Sequence, residues 1–535
     1  MSNDYDYIVV GGGSSGCVVA ARLSENPKTR VLLIESGRRD SHPYIHIPAT
    51  FFKVIEKGRD IVAYVGEKDD GVNGRDSIVL QGHVLGGGSS VNAMLYIRGH
   101  ANDYNHWAQL GNRGWSYDDV LPVFRDLETN QSLAGAFHGQ DGELHVSEPR
   151  FKHPLCEAFV KAAQESGLPY NPDFNGKVQE GVGFYQSTTR NGRRWSSAQA
   201  FLRKAEGRAN LTILTETRVA KVSFEGNRAS GVLLEDGRQM TAQAEVILCA
   251  GAIETPRLLQ LSGIGPAEHL QSHGIGVVSD LPGVGENYQD HLESTVQGET
   301  RDPISLYRED KGLKAALHMA RYLATRQGLL TSNVVECGGF ADLGGMGQPD
   351  VQFHVLPFMV GWADRPPIEA HGLAIGPCFL RPKSRGTVRL RSGNSQDRAL
   401  FDAGSFRDSD DLEVLTRGVL KGIEILEAPS LAKLVKRRHL PEPGLEKDPE
   451  GLRAFVRQSA KTVFHPVGTA KMGPDSDRMA VVDDQLRVRG VTGLRVGDNS
   501  IMPTLVSGNT NAPAMMIGER CARFITGKDR KTAAA

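Results

Sequence analysis

The sequence predicts an α/β protein: a Rossmann-like dinucleotide-binding domain plus an α+β domain with a mainly antiparallel sheet. Three observations predict it. An apolar run at residues 7–10 leads directly into Gly11-Gly12-Gly13-Ser14-Ser15-Gly16 and then into an apolar stretch at helical spacing, 17–23. A second apolar run at 31–34 ends in Glu35, completing strand, glycine turn, helix, strand and acid. Between about residues 300 and 457 the pattern turns to alternation, as at 350–355 and 386–391, which is the signature of half-buried strands. The expected division is 1–150, 195–300 and 460–535 for the cofactor domain, with 151–194 and 301–459 for the substrate domain.

Each part of the first unit has a physical task. Gly11 makes the tight turn off the strand, Gly13 lets a pyrophosphate approach the backbone, and Gly16 lets the helix lie close to the strand. The first amides of the helix, at Ser14 and Ser15, face the phosphates, where the helix dipole favours negative charge. Glu35 at the strand tip can accept hydrogen bonds from an adenosine ribose. Arg38 and Arg39 could hold a 2′-phosphate, but Glu35 would repel it, so both are read as solvated loop residues.

Residues 36–75, rich in Pro, Gly and aromatics, read as long loops, and 81–99 contain three successive glycines and two serines that permit close backbone approach to a flat or charged group. Helices are expected at 118–130 and 153–167, strands at 211–214 and 219–222, and a turn at 235–237. A buried strand at 245–251 runs into a helix with Pro256 in its first turn, stopped by Gly263 and Pro266. Helices at 313–325 and 408–426 would cover one face of the second sheet, and the tail returns to a strand at 494–498 and a helix at 512–525.

At 535 residues the chain is long enough for two domains with real cores. Lys plus Arg, 62, nearly cancel Asp plus Glu, 63, so no global field attracts nucleic acid or an anionic membrane. The one basic run, Lys436-Arg437-Arg438-His439, reads as a solvated face. Six dispersed cysteines suggest buried thiols, with no zinc site and no disulfide framework. The first strand starts too near the initiator Met for a signal peptide, and no apolar stretch approaches a membrane span, so a soluble cytoplasmic protein is expected.

Five motifs together resemble the glucose–methanol–choline oxidoreductases: the glycine fingerprint, 86–98, 251–266, His465-Pro466-Val467-Gly468-Thr469, and Gly508-Asn509-Thr510-Asn511-Ala512-Pro513. They occur in the family's order across essentially the whole chain. Within the family, 167–176, 381–390 and 37–48 look nearest to its L-sorbose dehydrogenases, with choline, polyethylene-glycol and hydroxymethylfurfural oxidising members as cousins. The resemblance implies FAD, a Rossmann-like flavin domain built from discontinuous segments, and oxidation of an alcohol to a carbonyl. It places the cofactor against Gly11, Gly13, Ser14, Ser15, Gly16, Glu35, Ser36, Val84, Gly88, Asn92, Val219, Asp498, Asn509, Thr510 and Asn511. Some members bind FAD covalently through a His two residues after the first Ser of the Gly-Ser-Ser segment; Val91 stands there, so non-covalent FAD is expected.

Alcohol oxidation needs a base for the hydroxyl proton and an acceptor for the carbinol hydride, and flavin N5 is the acceptor. His465 is the candidate base, since imidazole titrates near ~6.5, and Asn509 is the second polar group that orients the substrate hydroxyl. Asn511 and Pro513 open the last helix, whose N-terminus would stabilise an anionic reduced flavin. Residues 282–291 read as structural, and the apolar run 356–362 as core more than pocket lining.

The substrate expected is a sorbose-like sugar, a glycol or a similar primary alcohol. Within the family, an aryl or furfuryl alcohol oxidase or a choline dehydrogenase is the alternative. From other classes, a nicotinamide-dependent dehydrogenase and a non-enzymatic flavoprotein compete. The segment 86–92 and the pair His465 and Asn509 favour flavin chemistry over both. No second glycine fingerprint follows a strand, so electrons are expected to pass to O₂, a quinone or a small carrier.

Overall fold

Ile8, Val9 and Leu33 have no exposure at all, because they lie in parallel strands covered on both faces. The computed structural model describes residues 3–361 and 365–528. Strand Asp4–Val10 is parallel to Val31–Ile34 on one side and to Gln239–Leu248 on the other. Leu211–Leu214 extends the sheet beyond Val31–Ile34, and Leu494–Val496 adds in parallel beside Gln239–Leu248. The other edge is an antiparallel meander of Val219–Glu225 and Arg228–Leu234. Helix Ser14–Leu23 packs on this sheet and on the last helix, Asn511–Thr526. Ser14 Oγ donates to Asn511 Oδ1 at 2.9 Å, and Gly518 lies against the Ser15 backbone, where a Cβ would sit 2.6 Å from its oxygen.

The second sheet is antiparallel throughout. Its order is Val435–Leu440, Val296–Thr300, Gly372–Phe379, Val351–Leu356, Cys337–Ala341 and Gly181–Phe184. The short strands Leu292–Glu293 and Lys461–Thr462 join at its side, so residues 292–300 and 461–462 run in this sheet and not in the parallel one. Helices Ser409–Glu427 and Pro154–Glu165 cover it.

Several local expectations are corrected. Residues 61–82 form a hairpin, Ile61–Asp69 with Arg75–Gly82, turned through Asn73 and Gly74, both at positive φ. The alternation that buries Tyr64 and Val79 was masked by the surrounding Pro and Gly content. Thr387–Arg389 leaves the main sheet and pairs with Leu400–Asp402 in a separate ribbon. Helix Gly312–Thr325 does not cover the sheet: only Tyr322 is buried, while Leu313 and Leu317 are 76 % and 60 % exposed.

Pro256 sits in the second turn of helix Gly251–Leu261, not the first. There it cannot donate to the Ala252 carbonyl, which accepts instead from Thr469 Oγ1 at 2.6 Å. Of the basic run 436–439, Lys436 and Arg437 stay solvated while pairing with Glu299, as His439 also does, and only Arg438 departs from the expectation by turning inward to Glu427 and Glu446. All six cysteines are free and buried. No helix among the described residues is long and apolar enough to cross a membrane.

Candidate active site

A cavity of about 600 Å³ runs from the glycine turn to the antiparallel sheet. At its first end the backbone is bare by necessity. A Cβ on Gly16 would overlap the Gly11 carbonyl, and one on Gly87 would lie 2.7 Å from Gly13 Cα, so segments 11–16 and 86–88 can meet only as glycines. Gly88 and Gly251 have no atom within 4 Å of where a Cβ would point, which leaves room for a ligand against the main chain. Glu35 ties this end together: Gly12 N–H donates to Oε2 and Gly37 N–H to Oε1, each at 2.7 Å. Burial raises its pKa, and its carboxylate still faces the cavity.

A dinucleotide fits this shape and chemistry. Gly11, Gly13, Ser14, Ser15, Glu35, Ser36 and Val219 line the end by the turn. Gly88, Asn92, Asp498, Thr510 and Asn511 line the middle. Asp498 accepts from Gly251 N–H at 2.9 Å and Thr255 Oγ1 at 2.6 Å, fixing the start of the following helix. Two expected residues lie behind the wall: Gly16 packs on the strand turn, and Val84 joins a small apolar cluster with Ile45, Val54 and Val91. Arg38 and Arg39 face Glu216 and Glu206 in exposed pairs away from the cavity.

His465 and Asn509 meet at the far end. Asn509 Nδ2 lies 3.4 Å from His465 Nε2, and both side chains line the cavity. Burial, with the neighbouring His291 and His354 rings, holds His465 well below the ordinary histidine range, so its imidazole is neutral near pH 7.

Segment 282–291, expected to be structural, reaches the site after all. The Asp290 carboxylate accepts the backbone N–H of both His291 and His465, at 2.8 and 2.9 Å, and the two imidazoles meet Nδ1 to Nδ1 at 3.0 Å. Burial pushes Asp290 up to about 6 and His291 down to about 3. Glu293 and His354, paired at 2.8 Å, form a further polar patch on the cavity wall. The triplet His291-Leu292-Glu293 carried a signal, two polar residues at strand spacing after a glycine-rich turn. Leu356 of the apolar run lines the cavity, Phe358 packs edge-on against the lining residue Phe52, and Trp362 lies outside the described residues.

Comparison with known proteins agrees across the chain. The two family models described as GMC oxidoreductase match residues 5–293 and 382–518. An alcohol dehydrogenase [acceptor] of Pseudomonas putida is 43 % identical over 98 % of this chain and 96 % of its own. The mitochondrial choline dehydrogenase of Homo sapiens is 42 % identical over 98 % of this chain and 90 % of its own. Among solved structures, a pyridoxine 4-oxidase from Mesorbium loti superposes with a TM-score of 0.88 at 33 % identity, covering 98 % of this chain and 99 % of that one.

Proposed function

Since the chain belongs to the GMC oxidoreductase family, an FAD enzyme acting on CH–OH donors, we propose that it oxidises a small primary alcohol to the aldehyde with His465 as the base. The observation that carries this reading is the His465–Asn509 pair, a neutral imidazole and an amide side by side on the wall of a cavity that begins at a dinucleotide cradle. FAD supplies the hydride acceptor when bound. Asn509 orients the substrate hydroxyl, and His465 Nε2 takes its proton as the carbinol hydride departs. The parallel-sheet half holds the cofactor, and the antiparallel sheet offers Glu293, His354 and Leu356 to the substrate.

The wall also carries Val335, Leu356 and Phe464, which suits an alcohol with an apolar body better than a sorbose-like sugar or a glycol. A second reading is choline, favoured by the Glu293 carboxylate on the same wall. Anaerobic mixing with alkyl and benzylic alcohols, choline, glycols and L-sorbose, followed by visible absorbance, separates them. Bleaching by simple alcohols is expected; bleaching by choline alone selects the second reading, and by none removes both.

The acceptor is O₂, a quinone or a small carrier, and admitting air after bleaching tests the first. FAD is held without a covalent bond, because Val91 offers no nucleophile where it borders the cavity. Acid precipitation is expected to release all the flavin into the supernatant; colour kept in the pellet would overturn this.

A further inference from the structure

We propose that the proton pattern of the catalytic pair is imposed from outside the cavity, by two backbone carbonyls acting through His291 on one side and Tyr185 and Gln352 on the other. This makes those three side chains positioning residues, and it rests on His465 being the base. The first chain starts at Leu380. Its carbonyl only accepts, so His291 Nε2, 3.1 Å away, must carry a hydrogen. A neutral imidazole then has a bare Nδ1, and His465 Nδ1, 3.0 Å from it, must be the donor. In neutral His465 that leaves Nε2 as a lone pair facing Asn509 and the cavity.

The second chain starts at Phe353. Its carbonyl accepts the Tyr185 hydroxyl at 2.6 Å, so the Tyr185 oxygen is free to accept from Gln352 Nε2 at 3.4 Å. The amino group of Gln352 therefore lies on this side, and it donates also to Asn509 Oδ1 at 3.1 Å. With its oxygen occupied, Asn509 must turn Nδ2 to His465. The two chains are independent, and they meet with a donor facing a lone pair. Reversing either would set N–H against N–H, or lone pair against lone pair.

The surroundings protect the arrangement. Asp290 holds the backbones of both histidines and keeps their rings crossed at 84°. A side chain at Gly338 would overlap both the Phe353 carbonyl and the Tyr185 hydroxyl. When substrate enters, its O–H bond breaks, a new N–H bond forms at His465 Nε2, and the electron pair stays on the substrate oxygen. The Nδ1–H bond to His291 persists through the step, so the ring cannot turn as it gains charge.

The test is a two-bond ¹H–¹⁵N correlation on ¹⁵N-histidine-labelled holoenzyme near neutral pH, with His465 assigned by its loss in H465Q. The wild type is expected to show the Nδ1–H form. His291→Phe removes the acceptor and is expected to populate the Nε2–H form and slow flavin reduction about 10–100-fold with FAD still bound, while His291→Asn recovers most of the rate. Gln352→Glu, which cannot donate, is expected to turn the Asn509 amide and produce the same change of tautomer. An Nε2–H form in the wild type, or no change in H291F and Q352E, overturns the proposal. A changed tautomer with an unchanged reduction rate would uphold the network and remove His465 as the base.

Discussion

His465, the proposed base, is buried with its ring against His291 and Asn509, and this decides when it can work. Its active form is neutral, and a pKa held below the ordinary value keeps it neutral throughout the range in which an unperturbed histidine would take up a proton. Flavin reduction is therefore expected to run flat from about pH 8 through ~6.5 and to fall only at lower pH, where imidazole protonation finally competes. Stopped-flow rates of the wild type and of Asp290→Asn across that range check it, because Asp290, held at about 6, titrates there too; an inflection near ~6.5 that survives in Asp290→Asn would show a solvated base. His465→Ala should keep FAD and slow reduction roughly 10²–10⁴-fold, the usual span for loss of a general base. Reduction at the wild-type rate would assign proton removal elsewhere.

At the scale of elements, the site depends on repairs made by distant loops. Pro256 leaves the Ala252 carbonyl without its helical partner, and Thr469 supplies one from the segment that also carries His465. Thr469→Val should cost about 1–3 kcal/mol, the penalty for a buried acceptor left unpaired, and urea unfolding measures it; an unchanged midpoint would mean that water reaches the carbonyl. The glycine turn, the strands on either side and the last helix were legible because each is written in the local period of the chain. His465 and Asn509 were legible only through the motifs around them. His291, Glu293, Gln352 and Tyr185 were not, because sheet register brings them together: Gln352 and Glu293 sit on either side of Cys378, and Tyr185 arrives from the sheet edge. The hairpin at Asn73-Gly74 is written in the chain as alternation on either side of a turn pair, but the Pro, Gly and aromatic content around it hides the period.

Across the whole molecule, a buried polar network ties the 86–98 segment to residues 128–186. Arg98 pairs with Glu128, and His138 bridges Glu128 at 3.2 Å and Asp173 at 2.9 Å. Burial opposes a charge on His138, but the hydrogen bonds to the two carboxylates prevail and raise it to about 9. A raised histidine stabilises the fold fully below its unfolded pKa and loses that contribution as pH rises through the folded one. The thermal midpoint should therefore drop between about pH 7 and ~9.5, and His138→Gln should flatten that slope; an equal slope in both would remove the network from the explanation. The contact of the first helix with the last has a further consequence in time. Ser14 and Asn511 are 497 positions apart, so at ~5–20 residues per second the ribosome makes the second about 25–100 s after the first. During that interval the nascent glycine turn lacks the helix that packs against it, so the cradle closes only once the chain beyond residue 511 has been made.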